Sequence, residues 1–349
     1  MNYNGKIIVL AYPDTFVTMS DEWICKLLPL VGLGTREYIK AGHAALILIE
    51  NETGHARYFD FGRYVTPKGQ GRVRGFNTDA ELEIPFTAKV DTQGKLQNLE
   101  TFLTWLDANP QKTHGEGRLL ASVCDAVNFQ KANAYIQTLQ KRGSIPYGAF
   151  AKTGSNCARF VTDTILASTS EKRIIKALNF NKKFTPSTVG NVEKAALGDV
   201  YEVFEGEIKP FAGSALKENL TNYFHRKKGN NNLLNSQAGG LSETRTQSLN
   251  GLPSEAQKLS GTGSNAWFWL TLEEHLPKAH FRIRRYNDLH ELDFDGVYFS
   301  QAIDMNRPFE FTYDSHCAYC HILQAGELIK LNCVGNFESF SSSQKVRSA

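Results

Sequence analysis

Between residues 226 and 263 the chain loses its hydrophobic rhythm. Asn, Ser, Gly, Gln and Thr dominate, the leucines are isolated, and neither a strand nor a helix period survives. Such a stretch buries too little apolar surface to offset the entropy of ordering it, and it reads as a flexible linker. One continuous core is thereby excluded, and two must form on either side. The length, 349 residues, agrees at about 100–200 residues per domain. The expected organisation is a domain over 1–225, the linker over 226–263, a small, mostly β domain over 264–337 and a disordered tail over 338–349.

In the first part, 6–12 reads as a buried strand ended by Pro13-Asp14. Ser20-Asp21 caps a short helical stretch through Trp23, Ile24, Leu27 and Leu28 that Pro29 breaks. Residues 43–50, HAALILIE, are a near-continuous apolar run of strand length. A turn at 51–54 returns the chain as a second strand over 56–64, which makes an antiparallel hairpin. The Gly- and Arg-rich segment 66–77 reads as a loop, and 82–86 and the surroundings of Ala88 as weak strands. Leu96, Leu99, Phe102, Leu103 and Leu106 have helical spacing. A strand is expected at 119–123, and helices at 128–139 and 155–168, with a short one opened by Thr185-Pro186-Ser187. After the linker, strand-like runs follow one another from Trp267 to Val334, with a hairpin turn at 324–327.

Charge narrows the partners. With 39 Lys+Arg against 36 Asp+Glu, the formal charge is +3, which gives no global electrostatic case for nucleic acid or an anionic membrane. No apolar run has the length of a membrane span. The apolar run at 7–11 is too short for a secretory signal, so the default expectation is a cytoplasmic protein, with secretion by a signal-less route left open. Six cysteines are too few for a disulfide scaffold.

The segment richest in chemistry is 145–161, IPYGAFAKTGSNCARFV. Cys157 follows a Gly-Ser-Asn turn and opens a helix, with Phe160, Val161, Thr164, Ile165 and Ser168 on its buried face. A thiol in a helix's first turn faces the positive end of the dipole, which favours the thiolate. The unpaired N–H groups of that turn suit an oxyanion. A cysteine nucleophile needs a base, and His43, opening an apolar strand after Gly42, is the candidate. A third group must orient the imidazole. Asp60, set in the apolar strand YFDFG, is expensive to bury without a partner and so stands out, with His55 as its rival. Taken singly, each of these is an ordinary core or strand-end residue.

In combination they resemble the circularly permuted branch of the NlpC/P60 papain-like superfamily. The carrying features are GHAALILIE, then a strand with Asp60, then YGAFAKTGSNCARFV. In that branch the histidine strand precedes the cysteine helix. The Asn-Cys-x-x-Phe-Val form also resembles the lecithin:retinol acyltransferase-like members. The resemblance spans about residues 1–200, and it implies an α+β fold with a permuted papain-like N-terminal domain. It further implies Cys157 as nucleophile, His43 as base and Asp60 as the orienting residue, with Tyr147 lining the site. Two departures bear on substrate: Ala11-Tyr12-Pro13 stands where relatives have a Gly-Asp-Ile/Leu strand, and 62–86 is longer and more basic. Asn156, Arg72 and Arg74 are candidates for substrate or oxyanion contacts. With Arg63 and Lys68, those arginines would bind a carboxylate or phosphate, or else form a solvated loop.

A second cluster, His316-Cys317-Ala-Tyr-Cys320-His321 with Cys333, has the look of a zinc site. Strand alternation puts Cys317 and Cys320 on opposite faces, which opposes shared ligation, so ordinary strand cysteines are the first reading and no cofactor is expected, with zinc on Cys317, Cys320, His321 and Cys333 left open. Cys25 and Cys124 read as core.

The function expected is a thiol-dependent hydrolase of an amide or peptide bond, on peptidoglycan-type or isopeptide substrates. An acyltransferase of the same mechanism and a catalytically silent binding module remain alternatives. The β domain is expected to recognise a protein partner.

Overall fold

The apolar run HAALILIE forms strand β4 (His43–Glu50), and seven of its eight residues are buried. A strand that is apolar on both faces must be covered on both, and this one is. The computed structural model describes residues 2–18, 22, 38–148, 153–183, 185–223 and 252–347. The helix expected from Ser20, most of the linker, and Cys25 lie outside these residues. The chain divides into two compact units, and each is taken by itself.

The first unit is built on an eight-stranded sheet. Its strands are β1 (Gly5–Tyr12), β4, β5 (Ala56–Gly62), β6 (Gln70–Gly75), β7 (Leu119–Val127), β8 (Ile145–Pro146), β9 (Val200–Phe204) and β10 (Glu207–Pro210). The order is β10-β9-β7-β1-β4-β5-β6-β8, and β1, fully buried, sits between β4 and β7, antiparallel to both. Two short strands, β2 (Phe16–Thr18) and β3 (Tyr38–Lys40), pair separately. The helices are α1 (Leu99–Asp107), α2 (Pro110–Thr113), α3 (Phe129–Lys141), α4 (Cys157–Ser168), α5 (Lys172–Asn181), α6 (Thr188–Ala195) and α7 (Ala215–Tyr223).

Alternation along β1 and β4 divides the core in two. Ile7, Val9, Leu46 and Leu48 pack with Ile136 of α3, Phe160 and Val161 of α4 and Val189 of α6. Ile8, Leu10, Ile47 and Ile49 pack with Phe102, Leu103 and Leu106 of α1. Two expectations are corrected here. Residues 70–75 are not loop but strand β6, paired antiparallel to β5 with Asp60 opposite Arg74. No strand forms at 82–86; a single 3-10 turn, Ala80–Leu82, stands there instead.

The second unit is a seven-stranded antiparallel sheet in the order β11-β12-β13-β14-β17-β16-β15. The strands are β11 (Gln257–Ser260), β12 (Asn265–Thr271), β13 (His280–Tyr286), β14 (Leu292–Phe299), β15 (Glu310–His316), β16 (Tyr319–Gln324) and β17 (Glu327–Asn336). The 324–327 hairpin forms, with Ala325 and Gly326 both at positive φ, as a tight right-twisted turn requires. The Gln257 amide bonds to the backbone of Phe309 and Phe311, so the two edge strands meet and the sheet curls around Phe268, Ile283, Tyr298, Ile322 and Leu331. The boundaries differ from those expected. Strand β11 lies inside the segment read as linker, and helix α8 (Phe337–Arg347) replaces the disordered tail. The segments Arg63–Gln70 and Asn77–Glu81 also belong to this unit.

Candidate active site

Gly42 sets the approach to β4. Its φ of +73° and the 2.8 Å that would separate an added Cβ from Thr188 Oγ1 both demand glycine. His43 then pairs with Tyr12, at the last rung of the β1–β4 ladder. The two rings stack at 6.4 Å, and Tyr12 in turn rests on Gly115, where an added Cβ would fall 2.2 Å from the tyrosine ring. The imidazole thus stacks on the Tyr12 ring.

Asp60 lies on β5 opposite Ala45 and hence diagonal to His43. It is fully buried, and its Oδ2 is 3.4 Å from His43 Nε2. That separation is long for a hydrogen bond, and among the described residues Nε2 has no partner of strict geometry. Contacts of this kind commonly tighten only when substrate binds. Arg74 and Tyr58 are among the groups that hold the carboxylate. Arg74 Nε donates to Oδ1 at 3.0 Å, Arg74 Nη2 to Oδ2 at 2.6 Å, and the Tyr58 hydroxyl to Oδ2 at 3.2 Å. Burial alone would neutralise Asp60, but the Arg74 guanidinium, aided by His43, keeps its carboxyl well below the usual range.

Cys157 is the first residue of α4 and 6% exposed. Asn156 precedes it as N-cap, its side chain accepting the Arg159 N–H at 2.8 Å. Asn156 is therefore a capping residue, and its side-chain oxygen is occupied. The helix is pinned from α6 by a buried network. Asn191 Nδ2 donates to the Ala158 carbonyl at 2.7 Å, and Thr162 Oγ1 donates to Asn191 Oδ1 at 2.7 Å. Cys157 belongs to the core on the α4 side of the sheet, whereas Tyr58 belongs to the opposite side. His43, at the strand's beginning, is coupled electrostatically to both Asp60 and the Cys157 thiol. Burial lowers the imidazole's pKa, yet Asp60 and Cys157 together outweigh burial and push it up to about 9. The surroundings of His43 thus favour the charged form of the ring, with a sulfur on one side and a carboxylate behind it.

Residues 7–174, which contain all three of these groups, match the family model described as type VI secretion system effector TseH-like. The first unit is similar to those effectors. Residues 256–334 match the model of the DUF6695 C-terminal domain. Among solved structures the chain is similar to the type VI secretion system effector TseH, at 18% identity and a TM-score of 0.40, over 60% of this chain and 99% of that one. No curated protein matches the chain.

The other expected site residues fall as follows. Tyr147 bridges to Ser155 just before α4 and stacks on Phe61 at 5.9 Å, so it stands beside the helix that carries Cys157. Arg72 and Arg74 are buried strand residues rather than solvated loop groups, and the Arg74 guanidinium is committed to Asp60. Arg63 and Lys68 lie in a segment of the second unit. His55, exposed at the start of β5, contacts its own neighbours Thr53 and Arg57. Tyr12, Tyr58 and Arg74 are the groups whose roles went unread; an arginine two strands from a histidine becomes a signal only once strand register is known.

In the second unit, Cys320 is core, bonded to the His316 carbonyl, and Cys317 accepts from Arg285 at 3.5 Å. Burial pushes the Cys317 thiol up to about 12. His321 lies on the outer face, and among the described residues no group of three or more His, Cys, Asp or Glu is arranged to hold a metal ion. No helix among them is long and apolar enough to cross a membrane.

Proposed function

We propose that this chain is a secretion-system effector whose first unit is a thiol-dependent hydrolase of permuted papain-like architecture. Its substrates are amide or peptide bonds of the peptidoglycan type. The observation that carries the reading is the convergence of the Cys157 thiol and the buried Asp60 carboxylate on His43, at the N-terminus of α4. The order of histidine strand before cysteine helix, and the similarity of 7–174 to TseH-like effectors, support it. As an effector, the chain would act after export rather than in the cytoplasm.

The chemistry follows from the groups present. The imidazolium–thiolate form of a Cys–His couple is the nucleophile. Cys157 Sγ attacks the carbonyl carbon and pushes the π electrons onto oxygen. The first N–H groups of α4 lack intrahelical partners and, with Arg159 N–H taken by Asn156, those of Cys157 and Ala158 face that oxyanion. His43 delivers its proton to the departing amine, leaving a thioester. The neutral imidazole then takes a proton from water as it attacks, and the acid leaves with Cys157 regenerated. With Nε2 turned to Asp60, Nδ1 is the ring nitrogen that serves the sulfur.

The test is alkylation of Cys157 by iodoacetamide, followed by peptide mass spectrometry, together with hydrolysis of peptidoglycan-derived peptides. Cys157→Ala abolishes both, and His43→Ala lowers alkylation at pH 7 and abolishes hydrolysis. His55→Ala retains most of each. Undiminished hydrolysis in Cys157→Ala ends the proposal.

A further inference from the structure

We propose that Arg74 is the positioning residue of the site: it locks Asp60 as a carboxylate anion with one oxygen turned to the His43 ring. The inference rests on the reading of Cys157 and His43 as the reacting pair, and deepens it.

His43, Asp60 and Arg74 lie on three consecutive strands of one sheet, β4, β5 and β6. Asp60 and Arg74 stand directly opposite each other, and His43 is diagonal to Asp60. Asp60 has no access to water, so without a cation its charge would not survive. Arg74 supplies that cation in a two-point grip, Nε on Oδ1 and Nη2 on Oδ2, which blocks rotation of the carboxylate about its own axis. The guanidinium is itself fixed by a third bond, from Nη2 to the Lys112 carbonyl at 3.1 Å. Tyr58 adds a neutral donor on the same oxygen. Oδ2 thus reaches His43 Nε2 from a position over which the carboxylate has no freedom. The arrangement has a cost. Because Oδ2 is shared with Arg74 and Tyr58, its pull on the imidazole is divided, consistent with the 3.4 Å separation.

A merely structural arginine and a positioning one make different predictions. In Arg74→Met, Asp60 loses the charge that holds it ionised and takes up a proton within the working pH range. The imidazolium then loses its backing, so the pH at which Cys157 alkylation by iodoacetamide rises moves upward by about one unit or more. In Arg74→Lys the charge stays and the fork is lost. The position of that rise is retained while alkylation slows by about tenfold through misplacement of the ring. The double variant Asp60→Asn/Arg74→Met removes both buried charges, so it folds where Arg74→Met does not, and its profile shows no Asp60 titration.

Titration of the His43 ring by NMR in the same full-length proteins is the second readout, because it needs no reaction. Its midpoint falls in Arg74→Met, and in the double variant, relative to wild type. Unchanged His43 midpoints in all variants, or a uniform loss of alkylation with the profile in place, overturns the positioning role. An ordinary, exposed-thiol profile for Cys157 in the wild type would instead remove the reading of the reacting pair, and the His43 titration would still decide on Arg74.

Discussion

His43 is a balance of opposed influences. Burial favours the neutral ring, while Asp60 and the Cys157 thiol favour the charged one, and the latter win with a pKa of about 9. A histidine whose folded pKa exceeds its unfolded value of about 6.5 contributes stability fully below pH 6.5. That contribution drains as pH rises toward 9, and on the order of a few kcal/mol is involved. Wild-type protein should therefore lose more stability between pH 6 and pH 9.5 than His43→Gln, measured as the shift in urea midpoint. Equal losses would show that the ring is neutral across that range. The three central residues were legible because each breaks a local expectation: a thiol at a helix start, a polar ring opening an apolar strand, a carboxylate inside one. Arg74, Tyr12 and Gly115 break none. An arginine in a Gly-rich stretch looks like a surface residue, and its ion pair with Asp60 requires knowing that Gln70–Gly75 pairs beside Ala56–Gly62.

At the scale of elements, α4 is placed by polar bonds as well as by apolar packing. Asn191 on α6 is fully buried and bonds to the Ala158 carbonyl and the Thr162 hydroxyl, one turn along from Cys157. Asn191→Leu leaves part of that network unpaired in the core, at about 1–3 kcal/mol. It also loosens the helix that aims the thiol, so a lower urea midpoint and slower Cys157 alkylation should appear together. A stability loss with alkylation unchanged would show that packing alone places the helix. The long apolar runs β1 and β4 were readable because strands buried on both faces carry little but apolar residues. Strand β6 was not, since QGRVRG has one apolar residue, and what earns it a place is the Asp60–Arg74 pair rather than hydrophobic pattern. Helix α5 and strands β9 and β10 likewise went unread, their residues being half-exposed and mixed in polarity.

Across the whole molecule the chain divides into two compact units, and the division is not a single cut. Arg63–Gln70 and Asn77–Glu81 belong to the second unit, while the strand residues between them, Gly71–Phe76, belong to the first. Within the second unit these segments are well anchored. Gly263 donates its N–H to the Arg63 carbonyl at 2.9 Å, and Cys317 donates to the Thr78 carbonyl at 3.0 Å. Asp79, fully buried, pairs with Arg285 at 3.2 Å, and Glu81 and Asp293 crowd the same guanidinium. Burial beside those acids pushes the Asp293 carboxyl up to about 7. A chain ending at residue 225 keeps every residue of the candidate site yet strips 63–70 and 77–81 of their partners, and these flank the strand that carries Arg74. Limited proteolysis of such a chain should cut first within 63–81, where the full chain is protected, and its Cys157 alkylation profile should approach that of Arg74→Met. If 63–81 stays protected and the profile matches the full chain, the first unit holds β6 by its own packing, and the second unit is dispensable for the site.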